Sequence, residues 1–143
     1  MKSLEHKELR NILAHRFPFL LVDRITDYDS TKAVGIKNVT ATDPFLQGHF
    51  PDDPIYPGIL IIESCAQVGG VMLSENENYK RIGYLAQVND FKFLSFVIPG
   101  DTMQIFTKFE SALGSFVKVT ASVKVDSRKV GKGTITYSFN TKP

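Results

Sequence analysis

Residues 58–74 read Gly-Ile-Leu-Ile-Ile-Glu-Ser-Cys-Ala-Gln-Val-Gly-Gly-Val-Met-Leu-Ser and hold a single carboxylate, Glu63. Pro57 stands at the entrance, where its fixed φ suits a first helical turn and its missing N–H is not needed. A helix apolar on nearly every side cannot lie on a surface, so the rest of the chain has to enclose it. Gly69 and Gly70 then mark close backbone contact with a sheet or with a partner's helix.

Strand-like runs supply the enclosure. Phe19 to Tyr28 and Lys32 to Thr40 precede the helix; Ile82 to Phe93, Thr102 to Ala112, Phe116 to Val125 and Lys129 to Asn140 come after it. Gly114-Ser115 and Asp126-Ser127 read as hairpin turns, and Pro99-Gly100-Asp101 turns the chain into the fourth of these runs. Val117, Val119, Ala121, Val123 and Val125 alternate with polar residues, as in a sheet with one face buried. The expected class is α+β, an antiparallel sheet wrapped around one long apolar helix. Ile82 to Phe93 is expected to be an edge open to another subunit. Ser3 is expected to cap a short helix with Leu9, Ile12 and Leu13 on one stripe, ending before Phe17-Pro18. His15 and Arg16 beyond it read as structural, with Arg16, Asp23 and Arg24 as ion-pair members.

At 143 residues with 43% hydrophobic content, the chain reads as one domain over 1–143 with a core of its own. A formal charge of +2 is far from the concentrated basic face of a nucleic-acid binder. The single cysteine rules out an internal disulfide and suits a reducing cytoplasm. The polar start at Lys2 is not a signal peptide, and no apolar run reaches the length of a membrane span. The expectation is a soluble cytoplasmic protein.

Chemistry concentrates just before and within the apolar helix. Asp43-Pro44 reads as a cap and first residue of a helical turn delivering Gln47-Gly48-His49, and Pro51, Pro54 and Pro57 stiffen the loop that joins His49 to the helix. Glu63 among Ile61, Ile62 and Ala66 is either paired or held protonated near neutrality. Gln67, one turn on, is placed to orient it. The Gly58 amide, free at the helix mouth, suits an oxygen acquiring negative charge. An imidazole that titrates near the working pH and a dry carboxyl together offer a base and an acid. His49 is assigned as the base and Glu63 as the acid; alternatively one of them makes both proton transfers while the other orients water. Phe50, Tyr56, Phe91 and Phe93 are candidates for the wall of an apolar tunnel, with ordinary core as the commoner reading. A metal site is not expected, because no His or Cys pair has ligand spacing. Cys65 lacks a cationic neighbour to activate it.

His15-Arg16-Phe17-Pro18-Phe19-Leu20-Leu21-Val22-Asp23-Arg24, Gly48-His49-Phe50-Pro51, Pro57-Gly58-Ile59-Leu60-Ile61-Ile62-Glu63 and Pro99-Gly100-Asp101 resemble, in order and spacing, the hot-dog-fold 3-hydroxyacyl-(acyl carrier protein) dehydratases of the FabZ type. The likeness covers nearly the whole chain. It implies a hot-dog fold and removal of water from carrier-bound (3R)-hydroxyacyl thioesters to give trans-2-enoyl thioesters. The substrate rides on the carrier's phosphopantetheine, with no further cofactor. It also implies a homodimer, or three such dimers, in which His49 of one subunit meets Glu63 of the other at an acyl tunnel. Gly58, Gln67, Phe50 and Tyr56 then become substrate-positioning residues.

The chain departs from that pattern at three places. Asp52 stands where the family's glycine is usual; at positive φ an aspartate is strained, so a re-aimed loop with negative charge near the entrance is expected. Ser64-Cys65 and Tyr56 replace other side chains around the pocket. Phe93-Leu94-Ser95-Phe96-Val97 lacks two basic residues and a proline, which leaves carrier docking to Lys80, Arg81 or Lys92; where the resemblance implies fatty acid synthesis, this departure points to a specialised polyketide or secondary-metabolite pathway. The competing readings are a hot-dog thioesterase and a non-catalytic acyl-carrier-binding subunit of a synthase.

Overall fold

The computed structural model describes residues 2–80 and 82–140. The chain forms β1 (Lys2–Leu4), α1 (His6–Leu9), β2 (Arg24–Tyr28), β3 (Lys32–Asn38), α2 (Gly58–Leu73), β4 (Tyr84–Phe93), β5 (Thr102–Leu113), β6 (Phe116–Val125) and β7 (Arg128–Ser138). A single 3-10 turn at Pro44–Gln47 and another at Glu77–Tyr79 flank α2. All seven strands join one antiparallel sheet in the order β1-β2-β3-β5-β6-β7-β4.

Alternation decides which face is buried. Met103, Ile105 and Thr107 of β5 and Val117, Val119, Ala121, Val123 and Val125 of β6 point inward onto α2. Val68, Val71 and Met72 of α2 are wholly enclosed against them. Gly69 lets this helix approach the sheet: a Cβ there would run into the Tyr137 hydroxyl, which donates to the Ala66 carbonyl at 2.6 Å. Gly70 has room for a methyl group, so of the helix's two late glycines only Gly69 sets the approach; on the sheet, Gly35 of β3 does the same against Val68. The two hairpins turn at Gly114, with φ 61°, and at Asp126, with φ 53°. The peptide bonds Phe17–Pro18 and His49–Phe50 are cis.

Several expectations need correction. Ser3 lies in β1, and the short helix is capped instead by Glu5 in a capping-box arrangement with Glu8, whose carboxylate accepts from the Glu5 N–H at 3.2 Å. Residues 19–23 are not strand, although Leu21 and Val22 are fully buried. Their backbone is held partly by the Gln67 side chain, which takes the place of a neighbouring strand. Arg16 forms no ion pair among the described residues; its guanidinium donates to the carbonyls of Arg10, Leu13 and His15. Arg24 pairs with Glu5, and the Asp23 carboxylate accepts from the Asn38 N–H.

β4 is the free edge, and ten residues long. Tyr84, Leu85, Val88 and Phe93 on it are more than a third exposed. The helix is not closed all round either: Ile59 is 76% exposed, and Ile62, Glu63 and Gly70 are only partly covered. At i, i+3, i+4 and i+11 these four share one face, so a single stripe of α2 remains uncovered.

Candidate active site

The loop carrying His49 is built from below. The 3-10 turn forms with Pro44 at its first position, but the Asp43 carboxylate does not cap it. One oxygen instead accepts from Lys37 Nζ at 3.0 Å and the other from the Thr40 N–H at 2.8 Å. Lys37 is nine-tenths buried on the inner face of β3, so its ammonium needs a counter-charge, and Asp43 is the one in reach. The loop then folds on itself: Phe50 and Asp53 exchange backbone hydrogen bonds, Ile55 N–H reaches the His49 carbonyl, and Tyr56 N–H reaches Val97. Asp52 is not in the left-handed region; the non-glycine residues there are Asp90 and Asp126, so the expected strain does not arise among the described residues.

This closure fixes the imidazole. His49 Nδ1 lies 2.8 Å from the Ile55 carbonyl oxygen, which can only accept, so Nδ1 carries the proton and Nε2 keeps its lone pair. That is the tautomer a base requires. The Phe50 ring stacks on the imidazole at 4.4 Å and is itself half exposed.

Gly58 opens α2, and its N–H has no acceptor among the described residues. The side of Gly58 where a Cβ would stand is covered by the Phe93 ring, at 3.1 Å. Its lack of a side chain therefore seats Phe93, and the amide stays open. Tyr56 is 1% exposed and reaches Ser64 of the helix at 3.3 Å. It packs beneath the loop. Phe91 and Phe93 face each other across 5.4 Å on β4.

Glu63 occupies a different place. Its side chain is one-fifth exposed, and burial pushes its carboxyl above the usual carboxylate range, with a hydrogen bond from Gln67 and the nearby His15 pulling the other way. Gln67 is fully committed: its oxygen accepts from Leu21 N–H at 2.8 Å, and its nitrogen donates to the Phe19 carbonyl at 2.8 Å and to Glu63 Oε2 at 3.1 Å. One amide thus ties the segment before β2, the helix and the acid together. The carboxyl opens on a cavity of about 390 Å³ whose walls include His15, Ala66, Gly70, Tyr84, Leu85 and Tyr137. His49, Gly58, Phe50 and Tyr56 do not line it within one chain.

Of the residues considered for carrier contact, Lys80 lines the cavity and pairs with Glu77 at 2.9 Å. Lys92 sits across from Lys132 in a shallow depression away from that cavity. Arg81 lies outside the described residues. The altered segment 93–97 is held by Arg128, which donates to Ser95 Oγ, the Phe96 carbonyl and the Asp101 carboxylate. Cys65 is fully buried, which pushes its thiol pKa up and leaves it unreactive. Among the described residues no three His, Cys, Asp or Glu side chains gather as a metal site would need, and no helix is long and apolar enough to cross a membrane.

His15, which reads as structural in the sequence, is the residue whose place beside the acid the sequence does not foresee. Its Nε2 stands 3.8 Å from Glu63 Oε2, and its ring stacks on Phe19. The two residues are far apart in sequence, and only the Gln67 tether to Phe19 and Leu21 reveals that they meet.

Comparison with known proteins adds to this geometry. A family model described as a FabA-like domain matches residues 13–134. The chain is 46% identical over 124 residues, 85% of its length and 88% of the relative's, to a protein from Caldanaerobacter subterraneus subsp. tengcongensis named 3-hydroxyacyl-(acyl-carrier-protein) dehydratase FabZ. It is 42% identical to the protein of that name from Syntrophomonas wolfei, over 97% of this chain and 99% of that one. Among solved structures, the dehydratase heterocomplex ApeI:P from Xenorhabdus doucetiae superposes with a TM-score of 0.77 at 17% identity, covering 94% of this chain and 91% of that one. At that identity the likeness speaks for the fold: a hot-dog arrangement of sheet and helix.

Proposed function

The chain belongs to the FabA-like family, and on that premise we propose that it removes water from 3-hydroxyacyl groups held as thioesters on an acyl carrier protein, as its FabZ relatives are named for doing. The observation that carries this reading is Glu63: a carboxyl kept toward its neutral form by burial, hydrogen-bonded by Gln67, and open on a cavity. His49 Nε2 takes a C2 proton. The Gly58 amide draws charge onto the thioester oxygen. Glu63 gives its proton to the C3 hydroxyl, the C3–O bond breaks, and water and the enoyl thioester leave. The proton on His49 returns to Glu63 through solvent. The steps need no group beyond the carrier's own phosphopantetheine arm.

Because His49 does not line the Glu63 cavity of its own chain, the reading requires a second copy. The free edge of β4, its exposed apolar residues and the uncovered stripe of α2 lie on the chain's open side, and a twofold partner seated there would cover them. His49 and Gly58 of one subunit would then face Glu63 of the other. The buried single cysteine fits a reducing compartment, and we place the protein in the cytoplasm.

Mass spectrometry of carrier-bound 3-hydroxyacyl substrates of graded length tests the activity: loss of one water with the thioester intact is expected. Release of free carrier thiol would replace this reading with a thioesterase. Shared sites are tested by mixing His49→Ala with Glu63→Gln protein. Random reassortment gives half heterodimers with one intact site each, hence roughly a quarter of full activity, whereas sites within one chain stay dead.

A further inference from the structure

The three groups around Glu63 are not equivalent. Gln67 Nε2 and His15 Nε2 both lie on the Oε2 side of the carboxyl, at 3.1 and 3.8 Å, while Oε1 has no hydrogen-bond partner among the described residues. His15 Nδ1 is sealed from solvent and has no hydrogen-bond partner among the described residues. A proton placed there would be a buried, unsatisfied donor, so the ring carries its proton on Nε2, toward Glu63. At 3.8 Å the contact is longer than a hydrogen bond, and it is an electrostatic one in this state. The loop bearing His15 is pinned from both ends, by Arg16 on the carbonyls of Arg10, Leu13 and His15 and by Gln67 on Phe19 and Leu21.

From this geometry, and resting on the function just proposed, we infer that His15 is a positioning residue that acts through Glu63: with Gln67 it holds Oε2 and strengthens its grip as the carboxyl becomes carboxylate, so that Oε1 delivers the proton. Neutral N–H donors bind a carboxylate more strongly than a carboxylic acid, so the pair favours the state reached after proton transfer. The other ionisable groups on the cavity wall leave this role open to His15. Lys80 pairs with Glu77, the Tyr137 hydroxyl is spent on Ala66, and Tyr79 and Tyr84 complete the set among the described residues of one chain, to which a partner would add His49.

The test compares wild type, His15→Ala and His15→Gln. For His15→Ala, kcat is expected to fall about tenfold with KM changed by less than about twofold, and the pH limb set by Glu63 ionisation to move upward. His15→Gln, which keeps an N–H donor, recovers part of the rate. In a Glu63→Gln background His15→Ala costs nothing further, as a residue acting through Glu63 demands. Carbon-detected NMR titration of Glu63 in folded protein reads the same coupling without turnover, and an upward move in His15→Ala is expected. An unmoved Glu63 titration overturns the inference whatever the rate does. Failure of the wild type to eliminate water would overturn the proposed function instead, and the titration would still judge His15.

Discussion

At the scale of single residues, the two groups proposed to transfer protons differ in what they cost the fold. His49→Ala and Glu63→Gln should each lower kcat by about 10²–10⁴-fold while the circular-dichroism spectrum is unchanged. Their stabilities should diverge. Glu63 has a folded pKa above its unfolded value, so the native state binds a proton the unfolded chain has already released. Stability is therefore greatest below the ordinary carboxylate range and falls as pH rises through the folded pKa. Glu63→Gln abolishes that loss: its Tm should exceed the wild type's at neutral pH, and the gap should close toward pH 4, as differential scanning fluorimetry across pH would show. Both groups were legible in the sequence because each is the lone residue of its type in an otherwise informative context, an imidazole between stiffening prolines and a carboxylate in an apolar helix. His15 was not. Its neighbourhood predicts only a histidine near the end of a short helix, and its proximity to Glu63 depends on a tether that spans 46 residues between Leu21 and Gln67.

At the scale of elements, the α2–sheet contact depends on two glycines, Gly35 against Val68 and Gly69 against the Tyr137 hydroxyl. Gly69→Ala should destabilise the protein by about 1–3 kcal/mol, because the added methyl meets the Tyr137 hydroxyl within a packed core. Tyr137→Phe alone should cost about 1 kcal/mol for the lost bond to Ala66. The double variant should be less unstable than the sum, since removing the hydroxyl makes room for the methyl; urea melts of the four proteins form the cycle. The extent of α2, the hairpin turns and the alternation of β6 were all readable from Pro57, Gly114, Asp126 and the valines, because local chemistry alone dictates them. Residues 19–23 misled because burial and strand pairing usually coincide, and here a side-chain amide supplies what a neighbouring strand would. Ser3 misled because Glu5 and Glu8 form a better cap two residues on, with a bond to the Glu8 carboxylate that a serine lacking a matching partner does not make.

At the scale of the whole molecule, the chain exposes what a pair would hide. Val88→Asp places a charge on the free edge of β4 outside the Glu63 cavity. If the proposed dimer forms across this edge, sedimentation velocity should show it dissociating, with activity lost in proportion and secondary structure retained. An unchanged sedimentation coefficient with full activity would place the interface elsewhere. One further feature bears on how this architecture can be altered. Segment 93–97 is laced to the β6–β7 turn through Arg128, which grips Ser95, Phe96 and Asp101 together. Transplanting the segment alone into a relative would leave its knot untied, so the exchangeable unit in protein engineering is a discontinuous one: the segment and the arginine that fastens it, moved as a matched set.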